Sequence, residues 1–453
     1  MTFKMTEDEL LVLVIKYLKE SKRTALQQLL DELHPYDFAQ LYRGLPAKHH
    51  QRFLTFLTPK QIAELIQELE PELQLEIIQK LGMERSTKIL NLMESDDLAD
   101  LLAELSEDKI AQYLEGMKKE DSQSIQNLLS YDPETAGGIM TNEFVWIKEH
   151  YTVGQAIEKL KEYAEFSENI YYLYVINDHQ ELVGVVSYRD LLIADNDEKI
   201  SDIMFNRVIS VQADADQEEV VQLIERYNFI AIPVVDENNK LLGIVTVDDA
   251  IDVFIEEANE DFEKLSASGK TIDFNTKAIT ASARRLPWLI LLLFIGLVSG
   301  SILSFFEETL QKVVALIFFM PMIAGMTGNT GTQSLAVVVR GLVTNNLDRK
   351  TATKLILREF RVGLIIGGIC GLLISIIAYI WQGHNFILGF VVGLSLLVTL
   401  IVGTLAGTLI PIFLHRLGID PAVASGPLIT TINDIFSLLI YFGIASLFLV
   451  YLI

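Results

Sequence analysis

The chain has 453 residues, half of them apolar, with 36 Lys and Arg against 60 Asp and Glu and a formal net charge of −24. The charge is unevenly placed: the first 275 residues hold 25 basic and 54 acidic side chains, a balance of −29, and the remainder hold 11 and 6, a balance of +5. Phosphate recognition needs clustered Lys and Arg, so nucleic acid is excluded as a partner and cations are favoured; the lone Cys370 rules out an intrachain disulfide.

The N-terminus, MTFKMTEDELLVLVIKYLKE, puts acids before a short apolar stretch. A signal peptide has a basic segment there, so this part is expected to stay in the cytosol. Residues 30–130 then repeat: Leu33, Leu57, Leu81, Leu105 and Leu129 stand 24 apart, and Ala39, Ala63, Thr87 and Ala111 form a second register. Each unit, such as TPKQIAELIQELEPELQLEIIQKL, carries apolar residues at the three- and four-residue spacing of two short helices. Helix pairs that bury each other's faces predict a small α-solenoid, an N-terminal helical-repeat domain over residues 1–132.

A different, twofold repeat fills residues 133–255, with units IMTNEFVWI…YYLYVINDHQELVGVVSYRDLL and IMFNRVISV…IAIPVVDENNKLLGIVTVDDAI. Each predicts a helix, a β-rich run, a polar turn, a second strand and a helix start. This α+β pattern resembles the cystathionine-β-synthase (CBS) domain pair, a regulatory module that binds adenosine nucleotides or ions in its clefts. Tyr172, Arg189, Asp190 and Phe229 occupy positions where such pairs contact a nucleotide, so the resemblance implies ATP as a ligand.

Residues 256–285 form an acidic connecting segment. In VDDAIDVFIEEANEDFEKL, Asp249, Asp252, Glu256 and Glu260 fall on one helix face, and Glu257 and Asp261 form an adjacent pair four apart. Like charges at that spacing repel by about 0.2 to 0.5 kcal/mol per pair. Asp96, Asp97 and Asp100 add a second cluster upstream. Such surfaces meet in a compact state only with cations between them.

From residue 286 to 453 five apolar runs are each long enough to span a bilayer: 287–306, 313–339, 362–380, 386–413 and 424–453. Arg284 and Arg285 precede the first; Arg340, Arg349, Lys350, Lys354, Arg358 and Arg361 lie between the second and third; Arg416 lies between the fourth and fifth. The alternate loops hold only Lys312. The positive-inside rule therefore predicts a multi-pass protein of the cell membrane with its N-terminal half cytoplasmic and its C-terminus outside. The second run contains PMIAGMTGNTGTQS, whose Pro, Gly and polar residues, Asn329 among them, predict broken backbone lining a wet path. The glycine pairs 296/300, 363/367, 389/393 and 403/407 predict close helix contacts.

The fifth run contains TTINDIF, with Asp434 inside the apolar stretch. An isolated charge there costs at least ~3 kcal/mol and faces a partner or water. No basic residue lies inside the five runs, so an aqueous path is expected, with Thr430, Thr431 and Asn433 supplying further oxygens. Oxygen ligands without thiolate or imidazole suit a hard cation.

Taken together, these features resemble the MgtE family of magnesium transporters. The resemblance implies a homodimer in the lipid bilayer with a central pore, an aspartate from each subunit at Asp434, and cytosolic Mg²⁺ sites that hold the pore shut. It carries those sites onto Asp96, Asp97 and Asp100, onto Asp216 and Glu218, and onto Asp248, Asp249, Asp252, Glu257, Glu260 and Asp261. Asn228 departs from the pattern, since an acid is expected beside Phe229. The function expected is Mg²⁺-selective transport, channel-like and gated by cytosolic Mg²⁺, with no enzymatic activity. A broader carrier of Co²⁺, Mn²⁺ and Ni²⁺, and a membrane-anchored sensor without transport, are the alternatives. An intramembrane aspartyl protease would need a second buried acid, and the runs offer none besides Asp434.

Overall fold

Ten short helices open the chain, from α1 (Glu7–Glu20) to α10 (Lys119–Leu128), in a computed structural model that describes residues 5–163, 169–268, 272, 276–344 and 349–453. Their starts keep the sequence period in two interleaved series, at residues 23, 47, 71, 95 and 119 and at 35, 59, 83 and 107. Pro35, Pro59 and Pro71 occupy the first turn of their helices, where a missing N–H costs nothing. Thr58 and Gln61 form a capping box ahead of α5 (Pro59–Gln67). Of the repeating positions Ala39, Leu57 and Ala63 are buried, Leu33, Leu81, Thr87, Leu105 and Leu129 are partly buried, and Ala111 is exposed.

Two α/β repeats follow. In the first, β1 (Phe144–Lys148), α11 (Val153–Tyr163), β2 (Asn169–Ile176) and β3 (Leu182–Ser187) lead into α12 (Tyr188–Ile193). A short α13 (Ile200–Ile203) joins it to the second, formed by β4 (Val211–Gln212), α14 (Gln217–Tyr227), β5 (Ala231–Val235) and β6 (Leu241–Thr246). In each repeat the first two strands pair parallel and the last two antiparallel. Tyr174 and Leu182 of the first sheet share a core with Ala231, Val235 and Ile244 of the second. The second repeat also shares the core of the helical repeats, through Val220, Ile232 and Val245. The long α15 (Val247–Ser266) starts directly after β6. One compact unit ends at Phe254 and another begins at Ile255, so α15 contributes to both. Within the connecting segment, residues 269–271 and 273–275 lie outside the described residues.

The second unit holds α16 (Ala278–Phe305), a short α17 (Glu307–Lys312), α18 (Leu316–Thr344), α19 (Arg349–Trp381), α20 (Phe386–Arg416), α21 (Gly426–Leu447) and a terminal turn α22 (Leu449–Leu452). Among the described residues four helices are long and apolar enough to cross a membrane: α16, α19, α20 and α21. The fifth expected run, α18, has 29 residues rising about 43 Å, and its polar stretch sets it apart from those four. α20 is the central helix, with Val391, Val392, Leu396 and Leu400 fully or almost fully buried. No residue of α16 is buried.

Three expectations change. The second run is a continuous helix, with Pro321 inside it. Its threonines return hydroxyls to their own helix, Thr327 to Ile323 O at 2.7 Å and Thr330 to Met326 O at 2.8 Å. Gly328 and Gly331 serve close packing: a Cβ at Gly328 would press on Thr430, one at Gly331 would overlap Asn433 Nδ2, and one at Gly407 would overlap Gly331 O. The basic stretch before the third run is helical, because α19 begins at Arg349. That extension carries Glu359, 5% exposed, so the unit holds a buried acid that the apolar runs did not show, besides the half-exposed Asp434. The sequence hid it because Arg358 and Arg361 flank it and made the stretch read as a loop. Of the glycine pairs, 363/367, 389/393 and 403/407 lie at helix contacts, while Gly296 and Gly300 have nothing within 4 Å.

Candidate cation sites

In the first unit, acids gather where α8 (Ser95–Ala103) starts and where α15 starts. Asp96 and Asp97 occupy the first turn of α8, and Asp248 and Asp249 that of α15. Each helix N-terminus is favourable for an acid, which explains the placement locally. Collectively it is unfavourable. Desolvation, and then the charges of Asp97, Glu143, Asp249 and Asp248, push Glu94 up to about 7. Asp249 is pushed up to about 6, by desolvation first, against a Thr246 hydroxyl bond of 2.5 Å that favours its ionised form, with Asp248 and Asp97 adding repulsion. Asp97 is raised by desolvation and then, less, by Asp252 and Asp248, while Gln67 Nε2 donates to its Oδ2 at 2.6 Å. Glu143 is raised by desolvation in spite of a 2.5 Å bond from Ser95 Oγ.

The structure thus brings together Asp97, Asp248, Asp249 and Asp252 from the sequence-predicted set and adds Glu94 and Glu143. Neither addition has a periodic signal. Glu94 could be read as the cap of an acidic helix start in MESDD, and Glu143 carries no such mark. Asp96 is half-buried and Asp100 exposed on the same helix. Asp216 and Glu218 are exposed at the start of α14, where Asp216 Oδ1 accepts from Glu218 N at 2.8 Å as the N-cap. Asn228 closes α14 with φ of 54°, a left-handed conformation that asparagine tolerates well, which gives the departure from the family pattern a backbone reason.

Further along α15, in the second unit, Lys264 Nζ lies 2.7 Å from Glu260 Oε1 and 2.7 Å from Asp420 Oδ2. Asp261 is raised by desolvation and then by Asp420, with Lys264 pulling the other way. Asp420 also caps the 3₁₀ turn Pro421–Val423 by accepting from Ala422 N at 2.8 Å. Glu257, one turn before, is half-buried. Among the described residues no three Asp, Glu, His or Cys side chains converge closely enough to hold a bare metal ion.

A cavity of about 470 Å³ lies beside the end of α15, and one of about 250 Å³ lies between the two α/β repeats. The second is lined by Tyr172, Asp190 and Phe229, as expected, and by Arg207, Ser187 and Phe205. Arg189 is exposed and does not line it. Asp190 accepts from the Ser187 hydroxyl at 2.5 Å, in a capping box that fixes the start of α12 at the cavity wall.

In the membrane unit, Asp434 is half-exposed on α21, as is Thr431 one turn before it. Thr430 and Thr431 donate to Gly426 O and Pro427 O, each at 2.9 Å, which leaves their oxygen lone pairs free to face outward. On α18, Asn329 and Gln333 are exposed. Asn433 is placed differently from expectation. It is fully buried, with Nδ2 3.4 Å from Thr327 O and Oδ1 without a partner, so it locks α21 to α18 rather than lining a path in this chain. The choice between these two neighbours, Asn433 and Asp434, turns on a 100° step round the helix, which periodicity without a known packing face does not resolve.

The fold defines a membrane protein with a helical-repeat domain and a pair of α/β repeats ahead of its apolar helices. Comparison with known proteins makes this specific. Residues 33–134 match the profile described as the MgtE intracellular N domain, residues 136–197 and 200–256 match the CBS domain, and residues 320–444 match a divalent cation transporter profile, MgtE. A magnesium transporter of Bacillus subtilis is 57% identical over 445 residues, covering 98% of each chain, and one of Thermus thermophilus is 38% identical over 448 residues, covering 98% and 99%. Among solved structures, the soluble part of a magnesium transporter is 39% identical with a TM-score of 0.52, covering 56% of this chain and 100% of that one. The cytosolic domain of the Mg²⁺ channel MgtE in complex with ATP is 36% identical with a TM-score of 0.52, covering 54% and 99%. The chain belongs to the MgtE family of magnesium transporters.

Proposed function

We propose that this chain forms a homodimeric, channel-like Mg²⁺ pathway with five spans per subunit, α18 being the fifth, controlled by cytosolic Mg²⁺ through its acid clusters. The observation that carries it is Asp434, a carboxylate left half-exposed on an otherwise uncharged membrane helix. Mg²⁺ dehydrates reluctantly and keeps several waters, so two symmetric carboxylates suit it through its hydration shell. Inward movement down the membrane potential yields about 4.6 kcal/mol per 100 mV for a divalent ion, and transport needs no further energy source. A second subunit is supported by α16, which is apolar after Arg285 yet has no fully buried residue in its own chain, and by its Gly296 and Gly300, which have nothing within 4 Å.

Gating follows from the crowded acids. With Mg²⁺ between them, the helical repeats, assembled as a small α-solenoid, draw against α15 and close the pore; without it, repulsion parts them and the pore opens. The same hydrated bridging suits sites that lack a three-ligand cage for a bare ion. Asp216, Glu218, Asp100 and Glu257 join this network in the dimer. ATP occupies the cavity lined by Tyr172, Asp190 and Phe229, a reading supported by the ATP complex of the related cytosolic domain.

Mg²⁺ uptake into proteoliposomes holding the purified chain tests transport directly, and uptake no faster than in empty vesicles overturns it. The N-terminal half is cytoplasmic and the C-terminus outside. With Cys370 replaced, a cysteine at Gln382 is expected to react with an impermeant reagent from outside and one at Arg349 only from the cytoplasmic face; the reverse pattern inverts the topology.

A further inference from the structure

Four hydroxyl side chains stand on the polar stretch of α18. Thr327, Thr330 and Thr332 donate to carbonyls of their own helix, at 2.7, 2.8 and 2.9 Å. Ser334, 3% exposed, reaches to another helix: its Oγ donates to Glu359 Oε2 on α19 at 2.9 Å. The other oxygen of Glu359 accepts from the Arg358 guanidinium, from Nε at 3.1 Å and Nη2 at 2.9 Å. Glu359 is thus buried with both oxygens engaged, while the Arg358 side chain is 54% exposed and carries its charge out to solvent.

A buried carboxylate of this kind adds little net stability over a well-packed apolar residue, and its best-attested use is to specify one geometry. The geometry at stake here is the rotation of α18. Thr327, Gly331 and Ser334 face inward on this helix, and Gly325, Asn329 and Gln333 face outward. Between 327 and 331 the inward positions of α18 carry only Thr327, Thr330 and the glycines at 328 and 331, so this stretch is held by close contact of small groups, and Ser334 adds a side-chain hydrogen bond to α19. One residue of slippage is a 100° turn, enough to swing Asn329 from the exposed face to a buried one. The base of Glu359 is itself fixed. Gly363, one turn on, lies against Ile401 and Thr404 of α20.

We propose that Glu359 is a positioning residue for transport: by gripping Ser334 it fixes the rotation of α18 so that Asn329 faces the conduction path. This rests on the reading of α18 as a path wall. Glu359 acts through Ser334, and the grip needs an acceptor at position 359 rather than a charge.

The test compares Mg²⁺ uptake by proteoliposomes holding wild type, Glu359→Gln, Glu359→Leu, Ser334→Ala and the Glu359→Leu/Ser334→Ala double variant. Glu359→Gln keeps an acceptor and is expected to retain at least about half the maximal uptake. Glu359→Leu and Ser334→Ala are expected to lose about tenfold, the worth of one buried hydrogen bond, with an unchanged Mg²⁺ concentration for half-maximal uptake. The double variant is expected to be no worse than the worse single one. A Gln variant as poor as the Leu variant, additive losses, or a shifted half-saturation overturns the proposal. Thiol labelling of Asn329→Cys, with Cys370 replaced, separates it from the underlying reading. An unreactive thiol in the otherwise unaltered protein defeats α18 as path wall, whereas a thiol that stays equally reactive when Glu359→Leu is added defeats the positioning role alone.

Discussion

In the first unit Glu94, Asp97, Glu143 and Asp249 hold their protons more tightly than free carboxyls do, through burial first and then through the acids they face on other segments. The long membrane helices carry their acids singly: Glu359 is buried against Ser334 and Arg358, and Asp434 is left half-exposed. Crowded acids share a cation response, so the loss of one is diluted among the others. A single acid on an apolar helix has no such reserve. The contrast predicts large effects from one residue in the membrane and graded effects from several in the cytosol.

Asp434→Asn is the severest test of that contrast. At an effective dielectric constant near 20, a divalent ion about 6 Å from a carboxylate is held by about 5 kcal/mol. The amide keeps the side-chain shape and removes that attraction. Mg²⁺ uptake is expected to fall by at least about a hundredfold, with expression and dimer formation unchanged by size-exclusion chromatography. Uptake at the original rate would remove Asp434 from the path and with it the single-acid half of the comparison.

The neighbouring position sharpens it. Asn433 fits only because residue 331 lacks a side chain, so Gly331→Ala forces α18 and α21 apart. Overpacking of this kind costs about 1 to 3 kcal/mol. The expected result is a lower thermal midpoint for the detergent-solubilised protein, together with reduced uptake. An unchanged midpoint would mean that the seam between these helices is looser than its geometry.

In the cytosolic unit pH probes the crowd without any substitution. Unfolded carboxylates release their protons near pH 4, while Asp249 holds its proton to about 6 and Glu94 to about 7. Between those limits the folded chain binds more protons than the unfolded one, so stability falls as pH rises from about 4 to 7 and levels off above. Asp249 alone accounts for a loss on the order of 3 kcal/mol. Protease susceptibility of the Mg²⁺-free protein is expected to rise across that range and to flatten when Mg²⁺ is added. A flat profile without Mg²⁺ would show that neither burial nor the charges of Asp97, Asp248 and Glu143 hold protons on these two groups.

Much of this was legible in the sequence because it is written in periods. The 24-residue repeat reappears in the helix starts, and the two Ile-Met units reappear as two three-stranded sheets. Asp97 and Asp249 were found because acids at helical spacing are conspicuous. What stayed hidden lacks a period. Glu94, Glu143 and Asp420 join their clusters through tertiary folding, and Glu359 was masked by the arginines beside it. The polar run of α18 suggested broken backbone since glycine and proline usually weaken helices; here the threonine hydroxyls and close glycine packing keep it whole.

The mildest effect is expected where the crowd is thinned most. Replacing Asp249, Asp252, Glu257, Glu260 and Asp261 by alanine removes the acids on which α15 holds cations, and it also removes the repulsion that drives opening. The two losses oppose each other in the resting equilibrium between open and closed pores. They do not oppose each other in its dependence on Mg²⁺, because a ligand shifts an equilibrium only through its differential affinity for the two states, and fewer sites mean a smaller difference. Patch-clamp current from the five-residue variant is therefore expected to vary with cytosolic Mg²⁺ more gradually than wild type, with a lower Hill slope and a half-closing concentration moved by a few fold. Lys264, freed from Glu260, keeps its bond to Asp420, so the end of α15 retains one latch in the variant. A Mg²⁺ dependence identical to wild type would reduce the acidic face of α15 to a solvated surface and leave Asp96, Asp97 and Asp100 without the partner that the closed state requires.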